Sequence, residues 1–241
     1  MFAKGARRVN WAFLTGVTSI LHGTVGIAGN ILNTLIIILL TMIITTPIGV
    51  GAAIYLNEYA KPGKLVTVII FATETLAGIP SIIFGMLFFG QLCHMGYSLL
   101  TGSLTLTLMV LPLVTRNTQE ALKTVPDSFR TGAVGLGAGK WYTIRTILLP
   151  SAMPGIVTGV ILAIGRIVGE TAALIYTAGT VAEVSKGLLS SGRTLAIHMY
   201  VLSSEGLYTN QAYATAVVLL IFVLIINFMS SLVAKKFAAK D

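Results

Sequence analysis

The chain has 241 residues, of which 55% are hydrophobic and 10% charged, with a net charge of +8 and a mean hydropathy of +0.90. A soluble domain carries about 25% charged residues, so a soluble globular protein is excluded. The basic excess lies in short segments between apolar blocks, where it encodes orientation rather than nucleic-acid binding.

No Lys, Arg, Asp or Glu occurs between Arg8 and Glu58, between Glu74 and Arg116, or between Glu205 and Lys235. Each block can supply an apolar helix of about 20 residues, enough to cross a hydrocarbon core about 30 Å thick. The alternating strands of an outer-membrane barrel are absent. The pattern predicts an all-α polytopic membrane protein with five to six transmembrane helices. The expected spans are Ile31 to Leu56, Leu65 to Leu92, Tyr97 to Val114, Met153 to Ala178 and Tyr213 to Val233. Residues 1–27 are expected to be extracytoplasmic or weakly membrane-embedded, 28–236 to be the transmembrane domain, and 237–241 a cytoplasmic tail.

Basic residues set the orientation. Lys61 and Lys64 follow the first span, Arg116, Lys123, Arg130, Lys140 and Arg145 the third, and Lys235, Lys236 and Lys240 the fifth. These segments, and hence the C-terminus, are expected in the cytoplasm. Lys4, Arg7 and Arg8 then fall outside, against the rule. Either a further span precedes them or Trp11 to Ala28 makes a weak sixth; the first option is preferred.

The fourth expected span carries Arg166 and Glu170 within a long apolar run. A charge at the centre of such a helix costs from about 2.5 to 17 kcal/mol, depending on method. Residues four apart share a helix face, so this face is expected to look into protein or a water-filled path. Counted from Met153 at about 1.5 Å per residue, Arg166 lies a little past the membrane midplane. Glu74 completes the expected buried ionisable set. Gly155 with Gly159, and Gly165 with Gly169, are spaced to let another helix approach closely. Cys93 is the single cysteine, so no intrachain disulfide forms. His22, His94 and His198 make no metal-ligand spacing and are read as ordinary interface histidines. No catalytic constellation and no cofactor motif occurs.

Between the third and fourth spans, Arg116 to Pro150 is too long for a simple turn. Thr118 to Thr124 and Phe129 to Trp141 are helix-compatible stretches, broken at Pro126. Gly135-Leu-Gly-Ala-Gly-Lys140 imitates a phosphate-binding loop. That loop needs Gly at 134 and Ser or Thr at 141, where this chain has Val134 and Trp141. ATP chemistry is therefore expected in a separate subunit.

The same segment reads Gly137, nine residues, then Ile147-Leu-Leu-Pro150. This resembles the signature loop of binding-protein-dependent ABC importer permeases, which runs Glu-Ala-Ala, three residues, Gly, nine residues, Ile-x-Leu-Pro. The triplet here is Thr131-Gly132-Ala133, so only its third position matches. The resemblance implies a type I ABC permease fold. It also implies a short coupling helix docked on the ATPase, with Thr131, Gly132, Ala133, Gly137, Ile147, Leu149 and Pro150 at the corresponding positions. Three stretches resemble the permease A subunits of phosphate importers: Pro47 to Tyr59, Ala77 to Gly85, and Arg166 to Thr177. The likeness covers about residues 28–236. It implies an inner-membrane heterodimer with a sister permease, two ATPase subunits and an extracytoplasmic phosphate-binding protein.

On that reading Arg166, Glu170, Thr171 and Glu74 line the translocation path. A guanidinium fork donates paired hydrogen bonds to phosphate and stays charged. Glu170 would balance Arg166 in the empty state and repel a lingering anion, since a carrier site must also release its cargo. A purely structural ion pair is the competing reading. For the whole protein the competing readings are a permease for sulfate or molybdate, and a motor-independent channel or structural membrane subunit.

Overall fold

In the computed structural model, residues 5–19, 24–86, 94–206 and 208–238 are described. Cys93 and His22 lie outside them. The chain divides into two compact units. One comprises Met1–Ile43, Ile79–Met109 and Ile164–Ile225; the other comprises Ile44–Gly78, Val110–Ala163 and Ile226–Asp241.

The first unit begins with α1 (Trp11–Thr15), whose N-terminus is capped by Asn10 accepting from the Phe13 N–H at 2.7 Å. An antiparallel hairpin follows, β1 (Val17–Ser19) against β2 (Thr24–Ile27), with Val17 opposite Ile27 and Ser19 opposite Thr24. Trp11 to Ala28 is therefore not a continuous helix. Its β-branched Val17, Thr18, Thr24 and Val25 suit strands, and Gly26 lets its backbone meet that of Gly16 where any Cβ would clash. Phe13 and Ile27 pack with Leu195 and Ala214 into a small core.

α2 (Ala28–Ile54) contains Pro47 and continues into one π-helical turn, Tyr55–Tyr59. The combined helix, Ala28–Tyr59, has a mean hydropathy of 2.3. α3 (Lys64–Gly78) buries none of its side chains. It stops before Pro80, which lacks an N–H and forces its predecessor out of helix. A single turn, α4 (Ser81–Ile83), resumes beyond it. The expected span Leu65 to Leu92 is thus interrupted at Ile79 and Pro80, and its last residues fall outside the described set.

α5 (Leu99–Lys123) is the most buried of the long helices and outruns its expected end at Val114. Its buried Ser103, Thr105 and Thr107 return their hydroxyl protons to carbonyls one turn back, at 2.8 to 2.9 Å. That satisfies polar groups in a helix surrounded by apolar matter.

α6 (Asp127–Gly135) and α7 (Lys140–Thr143) follow, then a π-helical stretch, Ile144–Leu148, and α8 (Leu149–Gly169). From Lys140 to Gly169 the helix is continuous. Pro150 therefore sits inside it, just after the π turns, rather than opening it. A local π register is how a helix accommodates a missing N–H. In the second unit, α8 crosses α5 closely. A Cβ on Gly155 would stand 2.6 Å from Ala121, and one on Gly159 would stand 2.6 Å from Asn117. Gly165 and Gly169 face open space in the single chain. Ala121, Leu122, Val125, Ile144, Leu148, Ala152 and Ile156 form this unit's core.

The chain ends with α9 (Ala172–Ile175), α10 (Leu195–Glu205, closed by left-handed Gly206) and α11 (Thr209–Ala238). Among the described residues four helices are long and apolar enough to cross a membrane: Ala28–Tyr59, Leu99–Lys123, Lys140–Gly169 and Thr209–Met229. Leu32, Leu35, Leu39 and Ile43 on α2, and Leu220, Leu224, Phe228 and Leu232 on α11, are exposed at helical spacing. Water would penalise such apolar stripes; lipid or a partner helix accepts them.

Candidate functional site

The segment between α5 and α8 is an ordered two-helix structure. Pro126 opens α6 and Asp127 stands in its first turn, where a carboxylate favours the helix dipole. α6 closes through Gly137, whose φ of +79° is the left-handed turn that glycine adopts freely. The Gly137 N–H reaches the Val134 carbonyl at 2.9 Å, and the Ala138 N–H reaches that of Ala133 at 3.0 Å. Thr131, Gly132, Gly137 and Pro150 are exposed, Ile147 and Leu149 half-buried, and Ala133 buried. Phe129, Val134, Leu136, Trp141 and Tyr142 are exposed as well, and Leu136 is 91% so. This uncovered apolar surface runs over α6, the turn after it and α7, and suits contact with a partner.

One side chain fixes α6 in place. Arg130 donates from Nη2 to Glu58 Oε1 at 2.9 Å and from Nε to the same oxygen at 3.3 Å. Its Nη1 reaches Asp127 Oδ1 and the Val125 carbonyl, each at 3.0 Å, and its Nη2 also reaches the Leu122 carbonyl at 3.0 Å. The fork thereby joins the end of α5, the start of α6 and the π turn after α2. The Glu58 side chain is only 8% exposed. Its hydrogen bond to Arg130 is the chief cause raising the guanidinium pKa above the ordinary arginine value, against the opposing effect of burial. Lys140 adds a second tether to the same turn, with Nζ 4.9 Å from the Tyr59 ring centre. Sequence reasoning missed this pair. The available signal was that Glu58 ends a long charge-free block and Arg130 immediately precedes the Thr131 triplet.

The expected pair on the fourth span is not formed. α8 stops at Gly169, so Glu170 and Thr171 lie beyond the helix. The Glu170 carboxylate turns forward and accepts from the Ala173 N–H at 3.2 Å. It satisfies one of the unbonded N–H groups that every helix start presents, here that of α9. No ion pair joins it to Arg166 among the described residues. Arg166 is exposed in the single chain, Glu170 and Thr171 are half-buried, and Thr171 donates to the Gly169 carbonyl at 3.4 Å. Glu74 is exposed on α3 and belongs to the other unit. Two of the motif-bearing stretches do meet: a Cβ on Gly85 would stand 2.6 Å from the Ala173 carbonyl oxygen, bringing the Pro80 to Gly85 turn against α9. Among the described residues no cluster of His, Cys, Asp and Glu is arranged to hold a metal.

Comparison with known proteins decides the family. A model of the binding-protein-dependent transport system inner membrane component matches residues 45–240. The chain belongs to that family. A probable ABC transporter permease protein, YqgI of Bacillus subtilis, is 34% identical over 98% of this chain and 88% of its own length. Other members of the family similar to it include the phosphate transport system permease protein PstA of Xylella fastidiosa, 34% identical over 94% of this chain and 81% of the relative. PstA 1 of Mycobacterium tuberculosis is 38% identical over 69% of this chain and 52% of the relative. Among solved structures, the MetNI methionine ABC transporter superposes with a TM-score of 0.66 at 21% identity, over 88% of this chain and 94% of that one. A bacterial alginate ABC transporter superposes with 0.66 at 18%, over 96% and 86%. These likenesses fix the fold: an all-α, multi-pass ABC importer permease.

Proposed function

We propose that this permease subunit serves an ATP-driven importer of inorganic phosphate. The observation that carries the reading is the 34–38% identity to phosphate permeases across most of the chain. The shape of the Arg130-anchored segment supports the coupling half of it. Residues 116–150 are the cytoplasmic coupling segment and the C-terminus is cytoplasmic. A separate ATPase grips the exposed apolar face around Leu136 and Trp141. Thr131, Gly132, Ala133, Gly137, Ile147, Leu149 and Pro150 shape that element. When the ATPase closes, the movement of α6 passes through Arg130 to Glu58 at the end of α2. The partners are a sister permease, two ATPase subunits and an extracytoplasmic phosphate-binding protein.

Arg166, Glu170, Thr171 and Glu74 are assigned to the translocation path. The exposure of Arg166 in the single chain supports this, because an arginine with no carboxylate partner among the described residues can bind a passing oxyanion. Glu170, committed to the Ala173 N–H, positions the break after α8. Labelled phosphate uptake into vesicles holding the complete complex tests the reading. Wild type is expected to import phosphate only with ATP, Arg166→Gln to lose uptake at normal membrane levels, and Arg166→Lys to retain part of it. Preferential uptake of sulfate or molybdate would overturn the substrate assignment, and full uptake by Arg166→Gln would overturn the site.

A further inference from the structure

A second arginine has no function in that scheme. Arg193 lies in the segment before α10 and is only 5% exposed. Its Nε has no hydrogen-bond partner, and no carboxylate pairs with it among the described residues. Glu205 acts on it only at longer range. His198, one turn into α10, is fully buried with both ring nitrogens unpartnered. Burial chiefly, then the Arg193 charge, pushes its pKa down to about 3, so the imidazole is neutral at physiological pH.

The start of α2 packs on this stretch. Asn33 Nδ2 donates to the Arg193 carbonyl at 3.3 Å, and the Leu195 N–H donates to Thr34 Oγ1 at 3.0 Å. Asn33 Oδ1 is unpartnered, as are both side-chain polar atoms of fully buried Asn30. Gly192 is required here, since a Cβ would stand 2.6 Å from Asn33 Nδ2.

So many buried, unsatisfied polar atoms, on Arg193 and His198 and on the start of α2 that bonds to this stretch, are foreign to a finished core. An uncompensated buried guanidinium is costlier still, and only an anion offsets its charge. The positive end of the α10 dipole points the same way. A docking protein's carboxylate reaches exposed groups, whereas Arg193, His198, Asn30 and Asn33 are each at most 5% exposed. A small diffusible anion is the ligand that fits.

We propose that Arg193, His198 and Asn33, with Asn30 beside them, form a second oxyanion site that takes inorganic phosphate. By the alternation of spans it lies on the extracytoplasmic side. It holds the cargo before the path lined by Arg166. That the anion is phosphate rests on the transport reading above; that an oxyanion binds does not.

The test is equilibrium binding of labelled phosphate to the purified permease–ATPase complex, without nucleotide or binding protein, in an Arg166→Gln background. Charge-assisted hydrogen bonds of this kind are worth roughly ten- to hundredfold in affinity. Arg193→Gln is therefore expected to weaken binding at least about tenfold, Arg193→Lys less, and His198→Gln to an intermediate degree. Binding unchanged by Arg193→Gln, in a complex whose otherwise wild-type form still imports phosphate, overturns the site and leaves the transport reading standing. Arg193-dependent binding of sulfate or molybdate but not phosphate keeps the site and removes the phosphate assignment. Arg193-dependent chloride binding alone overturns it. Misassembly of Arg193→Gln shifts the decision to Arg193→Met. A stably assembled Arg193→Met complex with undiminished binding reduces the cluster to packing.

Discussion

Arg130 and Arg193 are both drawn out of water, and the fold treats them oppositely. Arg130 meets two carboxylates and two carbonyls, all within 3.3 Å. Arg193 has no ion-pair partner among the described residues. A guanidinium whose donors are satisfied internally is a rigid joint, suited to carrying force. One left with a buried unsatisfied donor, as Arg193 is at Nε, is suited to receiving a ligand. The difference separates an element that must hold its shape from one that must bind and release.

The sharpest way to break the comparison is to remove one partner of the satisfied arginine. Glu58→Ala removes the carboxylate that Arg130 grips through two donors, and losing charge-assisted hydrogen bonds of this kind costs about 1.5–3 kcal/mol. The expected outcome is a large drop in the thermal stability of the detergent-solubilised complex and loss of transport-coupled ATP hydrolysis. Glu58→Gln keeps part of the hydrogen bonding and should lose less of both. The same two substitutions should leave phosphate binding at Arg193 unchanged.

The next effect concerns packing. Gly155→Val places new atoms against Ala121, and overpacking of this kind costs about 1–3 kcal/mol. Gly165→Ala and Gly169→Ala meet nothing in the single chain and should leave the isolated subunit's stability unchanged. Unfolding of the three variants side by side checks the contrast. A loss of complex assembly confined to the Gly165 or Gly169 variants would identify that face as a contact with a partner subunit.

These contrasts show what the sequence could reveal. The charge-free blocks announced membrane spans because bilayer cost acts on each residue locally. Gly137 and Pro150 were legible from spacing, although Pro150 proved to lie within a helix. The Arg130–Glu58 joint was not, because its partners are far apart in the chain and neither residue type is unusual at a membrane boundary. The break after Gly169 was hidden by unbroken hydropathy; the helix ends through a carboxylate turning to cap its neighbour, which periodicity does not register. His198 looked ordinary because burial, not spacing, makes it unusual.

The pH dependence sharpens the Arg193 side. His198 has a folded pKa of about 3 against an ordinary 6.5, so the unfolded chain binds the proton more readily. Its contribution is fully present above about 6.5 and is lost as pH falls through that value toward about 3. The slope for one such group reaches about 1.4 kcal/mol per pH unit. His198→Gln should flatten the acid side of the complex's melting profile, whereas Glu58→Gln should not affect this histidine's share.

The smallest expected effect tests the joint from its other end. Gly137 holds a φ of +79° with open space around its Cα, so an added methyl meets strain but no clash. Gly137→Ala should cost about 1 kcal/mol through the left-handed backbone alone. Gly139, with ordinary backbone and open space as well, should accept alanine without loss. If α6 works as a rigid lever, Gly137→Ala loosens its end without removing the Arg130 anchor. ATPase should still co-purify, and coupled phosphate uptake should fall modestly while basal ATP hydrolysis stays level. Equal uptake by Gly137→Ala and Gly139→Ala would mean that Arg130 alone sets the geometry of the coupling helix.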